Sequence, residues 1–491
     1  MLRRTLLPLL ALALSGCGSN LATTRALSMR DVSFPLRDMR FPSGLRVVIE
    51  EDHRTPTVGV FAVVGSGSTS DPPGKEGLAH YVEHLAFRAR PDGKTSVWHL
   101  LQRAGAGEWN GATSFDETTF YEVGPKEALP GLLLLEGVRL LAPTSAVAKE
   151  TADVEREVVR SELRQRNETG YDGPILGFMQ AAVFPADHPY SRPVIGTHES
   201  LSAITFEDAQ GFAKAHYRPE NITIVVVGDV DLKAVGRVIE ESLPAELRAG
   251  KPGLVIAPRM PAQAPQPVET EPGPMIHREA AVATPEIWIG WALPRGFDGD
   301  SYIENFAQGM AASAISGSFW SDSDIVGAQS SLVRGKEASL MLVKVSLATG
   351  AHPESSANHA LNRLVGLWMV TSDSDERSKQ ETRFVSRQRS AVTGMMLDAE
   401  SLVARGFERA EFTHFSGDAG MFSKELRATM KLDFSHVIDF SYRYLTRERA
   451  RVVLVSPPPG GAAAPPSTMS AGSAPRPSTP RPCARSCGRR A

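Results

Sequence analysis

The chain has 491 residues, a length that predicts two or three domains rather than one. Its formal net charge is −3, and its apolar and charged fractions are typical of a globular protein. The first 16 and last 35 residues together hold seven arginines and no acid, so the body, residues 17–456, carries −10, which argues against nucleic acid as the main partner.

The N-terminus has the composition of a targeting segment. Arg3 and Arg4 precede a short apolar stretch, Leu6–Leu14, which is too short to span a bilayer as a helix. The string Leu14-Ser15-Gly16-Cys17 resembles a bacterial lipobox. On that resemblance residues 1–16 are a lipoprotein signal peptide, Cys17 carries lipid and anchors the protein to a membrane, and residues 17–30 are a polar spacer. No Asp follows Cys17, so by analogy with enteric bacteria we expect the outer membrane, facing the periplasm. The alternative is an ordinary signal peptide with an incidental Cys.

Residues 31–250 alternate between strand and helix patterns. The predicted strands include Arg46–Glu50, Val58–Val64 and Ile222–Val227, and the predicted helices include 74–88, 126–141, 148–166 and 207–215. Seven prolines between positions 252 and 274 predict an extended linker over 251–274.

A second αβ stretch follows over 275–456 and repeats the order of the first. Its predicted elements are strands at Glu286–Trp291, Ser339–Ala348 and Arg451–Val455, and a helix at 303–315. Residues 457–491 are rich in Pro, Gly, Ala and Ser and predict a disordered tail. The three cysteines all lie outside residues 31–456, so any metal site in the folded body must use His and carboxylate ligands.

The motif His80-Tyr81-Val82-Glu83-His84 predicts a metal site on the helix over 74–88. At 100° per residue, His80, Glu83 and His84 share about one-quarter of the helix circumference. The opposite side is apolar and consists of Leu78, Val82 and Leu85. Imidazoles four residues apart can bind one zinc ion, with the intervening carboxylate beside its open position.

A later acidic helix offers a third ligand. Glu155 and Glu162 are seven residues apart and share one helix face, and 77 residues separate His84 from Glu162. Here the chain resembles the pitrilysin/insulinase family, in its mitochondrial-processing-peptidase-like branch. The resemblance implies Glu162 as the third zinc ligand and Glu155 as a carboxylate that supports a ligand. Glu157 and Glu168 are competing candidates.

The segment Asn110-Gly111-Ala112-Thr113 resembles the Asn-Ala-x-Thr edge strand of that family, with Gly111 in place of the usual Ala. The resemblance implies that Asn110, Ala112 and Thr113 bind substrate, since an exposed edge strand pairs with any extended peptide. It also implies an α+β fold of two related αβ domains, each an antiparallel-rich sheet packed with helices, forming half of a clamshell. The domain 31–250 is then the zinc-binding catalytic domain and 275–456 a metal-free one.

The second half contains no His-x-x-Glu-His motif among His277, His352, His359, His414 and His436. Family members usually supply an Arg and a Tyr from this half to contact substrate. Arg334 lies where that Arg is expected, without the Tyr shortly after it. Two domains enclose little volume, so we expect a homodimer or a heterodimer with a related metal-free chain.

These features predict a zinc metalloendopeptidase with one Zn²⁺ per chain. Glu83 takes a proton from zinc-bound water and later delivers it to the leaving amine. One alternative is an inactive partner subunit of a heterodimeric peptidase, although such subunits characteristically lose the Glu or a His of the motif. Another is a peptide-binding envelope lipoprotein with a structural zinc, which normally has four protein ligands.

Overall fold

The computed structural model describes residues 34–168, 173–251, 275–297, 301–316, 324–367 and 373–458. The predicted signal peptide, Cys17 and the spacer lie outside the described residues, as do nearly all of the predicted linker and tail.

The described residues form eleven strands and fifteen α-helices. The strands are β1 (Leu36–Arg40), β2 (Arg46–Glu51), β3 (Thr57–Val64), β4 (Glu108–Thr113), β5 (Thr118–Pro125), β6 (Ile222–Gly228), β7 (Ile276–Glu279), β8 (Glu286–Leu293), β9 (Ile325–Val333), β10 (Ser339–Leu347) and β11 (Arg451–Ser456). The helices are α1 (Leu78–Arg88), α2 (Val97–Ala104), α3 (Leu129–Leu141), α4 (Lys149–Leu163), α5 (Gly173–Val183), α6 (His198–Ala203), α7 (Phe206–His216), α8 (Val235–Ser242), α9 (Ala245–Arg248), α10 (Ser301–Ser316), α11 (Pro353–Gly366), α12 (Ser374–Asp398), α13 (Leu402–Ser416), α14 (Met421–Lys431) and α15 (Phe434–Tyr444).

Every segment predicted to be a strand from its apolar pattern coincides with an observed strand. The first residues of the helices are less well predicted. The helix expected over 74–88 begins only at Leu78, because Gly74 and Gly77 have φ of +80° and +96° and therefore cannot continue a right-handed helix. The helix expected over 126–141 begins at Leu129, after a 3₁₀ turn at Lys126–Ala128.

The two sheets repeat one topology. The first has the strand order β1-β2-β6-β3-β5-β4 and the second β7-β11-β8-β10-β9. In each sheet one pair is parallel, β2 with β6 and β7 with β11, and every other pair is antiparallel. Apart from the additional edge strand β1, the sheets are equivalent strand for strand. The predicted α+β class with two related, antiparallel-rich domains is confirmed.

Each half covers one face of the other half's sheet. Helix α5 packs on β8 and β11, and helix α13 packs on β3 and β6. Met179 and Val183 of α5 join a buried cluster with Trp288 of β8, while Ala410 of α13 joins one with Phe61 of β3. Both faces of β3 and β8 are therefore buried, which explains their nearly continuous apolar sequences.

Charged groups also cross between the halves. Glu50 of β2 is fully buried and accepts hydrogen bonds from Arg405 and Arg409 of α13, the first at 2.7 Å from Nε to Oε1. Arg405 also pairs with Asp52. A buried carboxylate is stable here because two guanidinium groups satisfy it.

Candidate metal centre

Helix α1 is anchored at its start and at its middle. Asp71 accepts hydrogen bonds from the backbone N–H groups of Gly77 and Ala79, both at 2.8 Å, and so satisfies two donors at the helix start. Burial raises the pKa of Asp71 to about 7 despite these bonds. The Tyr81 hydroxyl donates to the carbonyl of Ala152 at 2.7 Å, which ties α1 to α4. Contacts on both sides bury most of α1, including its predicted polar face.

The structure brings His80, His84 and Glu162 together, with one ligand atom from each lying within 4.8 Å of the others. Nε2 of His84 lies 3.3 Å from Glu162 Oε2, and Nε2 of His80 lies 3.8 Å from the same oxygen. Tetrahedral zinc with ligand bonds of about 2.0–2.2 Å separates its ligands by about 3.3–3.6 Å. Two imidazoles and a carboxylate at these distances fit the donor set of a zinc site.

The electrostatics of the three groups suit a cation. Burial, assisted by the neighbouring His84, lowers the pKa of His80 to about 3, so its ring is neutral at pH 7. Burial alone would raise the pKa of Glu162, but hydrogen bonding to His84 and the positive charges of Arg166 and His84 lower it to about 2. Burial alone would lower the pKa of His84, but Glu155 and Glu162 raise it to about 9. Metal binding would therefore displace a proton from His84.

A second set of charges holds the ligands in place. Glu155 Oε2 lies 3.5 Å from His84 Nδ1, and its other oxygen pairs with Arg88 Nε at 2.6 Å. Arg166 pairs with Glu162 Oε1 at 2.7 Å, which leaves Oε2 facing the imidazoles. Carboxylates that hydrogen-bond the far nitrogen of a ligating His orient its ring. The position of Glu155 agrees with the supporting role implied by the resemblance.

One of the two competing carboxylates, Glu157, lies away from this cluster. Glu157 is exposed and pairs with Arg160 on the outer side of α4. The side chain of Glu168 lies outside the described part of the chain. Among the described residues, no other set of three metal-ligating groups converges in this way, so the five histidines of the second half form no comparable centre.

Glu83 lies between the histidines and the edge strand β4. It is buried, and the Thr113 hydroxyl donates to its Oε2 at 2.8 Å. Burial raises the pKa of Glu83 above its ordinary value, although His84 and Thr113 oppose this. Ala112 is exposed on the same strand and Asn110 is half-buried, so the two predicted substrate contacts lie where a peptide could reach β4. The Thr113 hydroxyl, in contrast, faces the base.

The loop between β9 and β10 does not present Arg334 to this site. Its guanidinium lies over the ring of Phe412, 5.2 Å from the centroid, and 3.9 Å from Glu425. Sequence reasoning also missed the contact that holds this loop. Asp116 accepts a hydrogen bond from the hydroxyl of Tyr190 and another from the backbone N–H of Lys336 at 2.7 Å.

No helix in the described ranges is both long and apolar enough to cross a membrane. Cys17, the predicted lipidation site, lies outside those ranges.

Family models match both halves of the chain. The model described as insulinase, peptidase family M16, matches residues 46–184, and the model described as the M16 inactive domain matches residues 203–320. The first match contains the His80, His84 and Glu162 cluster.

Curated relatives include zinc proteases. An uncharacterized zinc protease of Mycobacterium tuberculosis is 31% identical over 223 residues, which cover 45% of this chain and 50% of that protein. The beta subunit of the mitochondrial-processing peptidase of Caenorhabditis elegans is 28% identical over 211 residues, covering 43% and 44%. This chain therefore spans about half the length of the curated relatives it matches.

Solved structures share the fold over most of the chain. A protease from Helicobacter pylori superposes with a TM-score of 0.72 and 18% identity, covering 87% of this chain and 100% of that chain. The periplasmic protease PqqL from Escherichia coli superposes with a TM-score of 0.65 and 16% identity, covering 87% and 48%. At these identities the likeness concerns the fold.

Proposed function

Because the chain belongs to the insulinase family of zinc peptidases, M16, we propose that it is a zinc-dependent endopeptidase acting on peptides or unfolded polypeptides. His80, His84 and Glu162 would hold the zinc ion. When bound, zinc lowers the pKa of a water molecule towards neutrality and polarises the scissile carbonyl.

Glu83 is the general base in this proposal. Its carboxylate takes the proton of the attacking water and delivers it to the leaving amine. Burial supports this role, because a raised pKa brings a carboxyl group nearer to the pH at which it must both accept and release a proton. The observation that carries the proposal is this one carboxylate beside a three-ligand cluster. A structural zinc site or an inactive subunit has no need of it.

Strand β4 would bind the substrate backbone. Among the described residues it is the terminal strand of its sheet and pairs with β5 alone, so its outer edge can hydrogen-bond an extended chain. A substrate that binds as an added strand is recognised through its main chain rather than through its side chains. We therefore expect broad preference for extended segments and little cleavage inside folded domains.

The test compares peptide hydrolysis by the wild type and Glu83→Gln. We expect Glu83→Gln to keep zinc and lose activity by about 10²–10⁴-fold, the usual contribution of general acid–base catalysis. Chelation should abolish wild-type activity, and added zinc should restore it.

Glu157→Gln is the matched control, since it makes the same chemical change at an exposed position of α4. We expect this control to behave as the wild type. Near-normal turnover by Glu83→Gln would refute the mechanism. A zinc-loaded wild type with no activity on any peptide would instead favour the inactive partner subunit.

A further inference from the structure

The strand proposed to bind substrate also contacts the base. Thr113 Oγ1 donates to Glu83 Oε2 at 2.8 Å and lies 3.4 Å from the hydroxyl oxygen of Thr118. Thr118 itself donates to the carbonyl of Ser66 at 3.0 Å. The carboxylate oxygen at 2.8 Å is a closer and stronger acceptor than the Thr118 hydroxyl at 3.4 Å, so the proton of Thr113 is directed to Glu83. Since Glu83 is 6% exposed, little water surrounds it to supply an alternative donor.

Gly111 contacts the other side of the same carboxylate. A Cβ atom added at this position would lie 2.9 Å from Glu83 Oε1 and 3.0 Å from Phe87 Cε2. Atoms this close must move apart, and Phe87 is itself packed against Trp98 and Phe120. The bare backbone of β4 at Gly111 therefore allows Glu83 to occupy its position, while Thr113 holds it there.

We propose that Thr113 is a positioning residue, through which the edge strand β4 sets the orientation of Glu83. The inference rests on the proposed function, because it assigns Glu83 as the base. A base that is only slightly misaligned loses rate while substrate still binds, since proton transfer depends on donor–acceptor geometry. The effect should therefore appear in kcat rather than in KM.

The test replaces the hydroxyl donor of Thr113. Thr113→Val keeps the shape of the side chain and removes the hydrogen bond, and we expect kcat to fall about 10- to 100-fold with KM within about twofold. Thr113→Ser restores the donor and should recover most of the lost kcat. Glu83→Gln sets the floor for activity without the base.

Two readouts do not depend on activity. Bound zinc should remain near one per chain in Thr113→Val, because Thr113 contacts none of the three ligands. A crystal structure of the metal-free Thr113→Val protein should show the Glu83 carboxylate moved from its wild-type position.

The outcomes separate the two proposals. An inactive wild type overturns the proposed function and this inference with it. An active wild type with inactive Glu83→Gln, but with normal kcat in Thr113→Val, overturns the positioning role alone. An unmoved Glu83 carboxylate in the Thr113→Val crystal structure overturns it as well, as does a loss in Thr113→Val that Thr113→Ser does not recover.

Discussion

His84 faces a carboxylate with each of its two ring nitrogens. Its Nε2 faces Glu162 at 3.3 Å, and its Nδ1 faces Glu155 at 3.5 Å. One imidazole thus links a ligand of the proposed zinc site to the carboxylate that orients it. Its removal deletes a ligand and leaves two acidic groups without their shared partner.

We expect His84→Ala to lose its zinc, whereas the wild type binds about one ion per chain that chelators remove. With two ligands left, the site lacks the three protein ligands usual for a catalytic zinc ion. Elemental analysis of dialysed protein measures this, and His99→Ala, at an exposed position of α2, is the control. Stoichiometric zinc in His84→Ala would show that the ligand assignment is wrong.

Helix α13 joins the halves through both apolar and charged contacts. Its apolar side covers β3 and β6, and its Arg405 and Arg409 reach the buried carboxylate of Glu50 on β2. Both guanidinium groups are buried as well. Such an arrangement is stable only while every charge in it has a partner.

We predict that Glu50→Ala lowers the free energy of unfolding by about 3–5 kcal/mol, because it removes the carboxylate that two buried guanidinium groups share, and Asp52 remains as a partner for Arg405 only. Urea unfolding of the zinc-free protein measures the change. Glu241→Ala, at an exposed position of α8, should change the value by less than about 0.5 kcal/mol. A loss below about 1 kcal/mol in Glu50→Ala would mean that these ion pairs do not stabilise the contact between the halves.

One half of the chain contains the cluster of His80, His84 and Glu162, and the other half has no comparable cluster among its described residues. It superposes on 48% of the longer chain of PqqL and on the whole of the Helicobacter pylori protease. The Arg334 side chain, in the loop between β9 and β10, contacts Phe412 and Glu425 instead of pointing to the metal centre, where it could contact a peptide. A second chain opposite β4 would supply both a wall and new contacts.

We therefore expect a dimer, either of this chain or with a related metal-free chain, enclosing a chamber that excludes folded proteins. Light scattering on protein lacking residues 1–30 and 459–491 should give twice the mass of one chain. Digestion of a folded protein and of the same protein unfolded tests the chamber. A fully active monomer that degrades both equally would contradict the dimer and the chamber together.

The predicted location of the molecule rests on Cys17. We propose that this residue carries lipid and holds the protein on the outer membrane of a bacterial cell envelope, since a charged segment, an apolar run and a lipobox-like string occur in order. Labelling with a radioactive fatty acid should mark the wild type and leave Cys17→Ser unlabelled. An unlabelled wild type would remove the anchor.

Local periodicity was sufficient to predict much of the molecule. The spacing of His80, Glu83 and His84 places them on one side of any helix, whatever surrounds it, because helix geometry relates positions three and four residues apart. The apolar runs at β3, β6 and β8 predict strands for the same kind of reason. The resemblance of the motif to a family then pointed to Glu162, which local periodicity could not connect to His84 across 77 residues.

Contacts between distant segments required the folded chain. The bond from Tyr81 to Ala152 aligns α1 with α4, and the close approach of Gly111 to Glu83 depends on how β4 packs against α1. The sequence patterns also did not predict that α5 and α13 each pack on the sheet of the other half. An apolar stripe shows that a helix face will be buried, but many surfaces of similar hydrophobicity can bury it. Which surface does so depends on shape complementarity and on charge pairs such as Glu50 with Arg405, which form only when the whole chain packs.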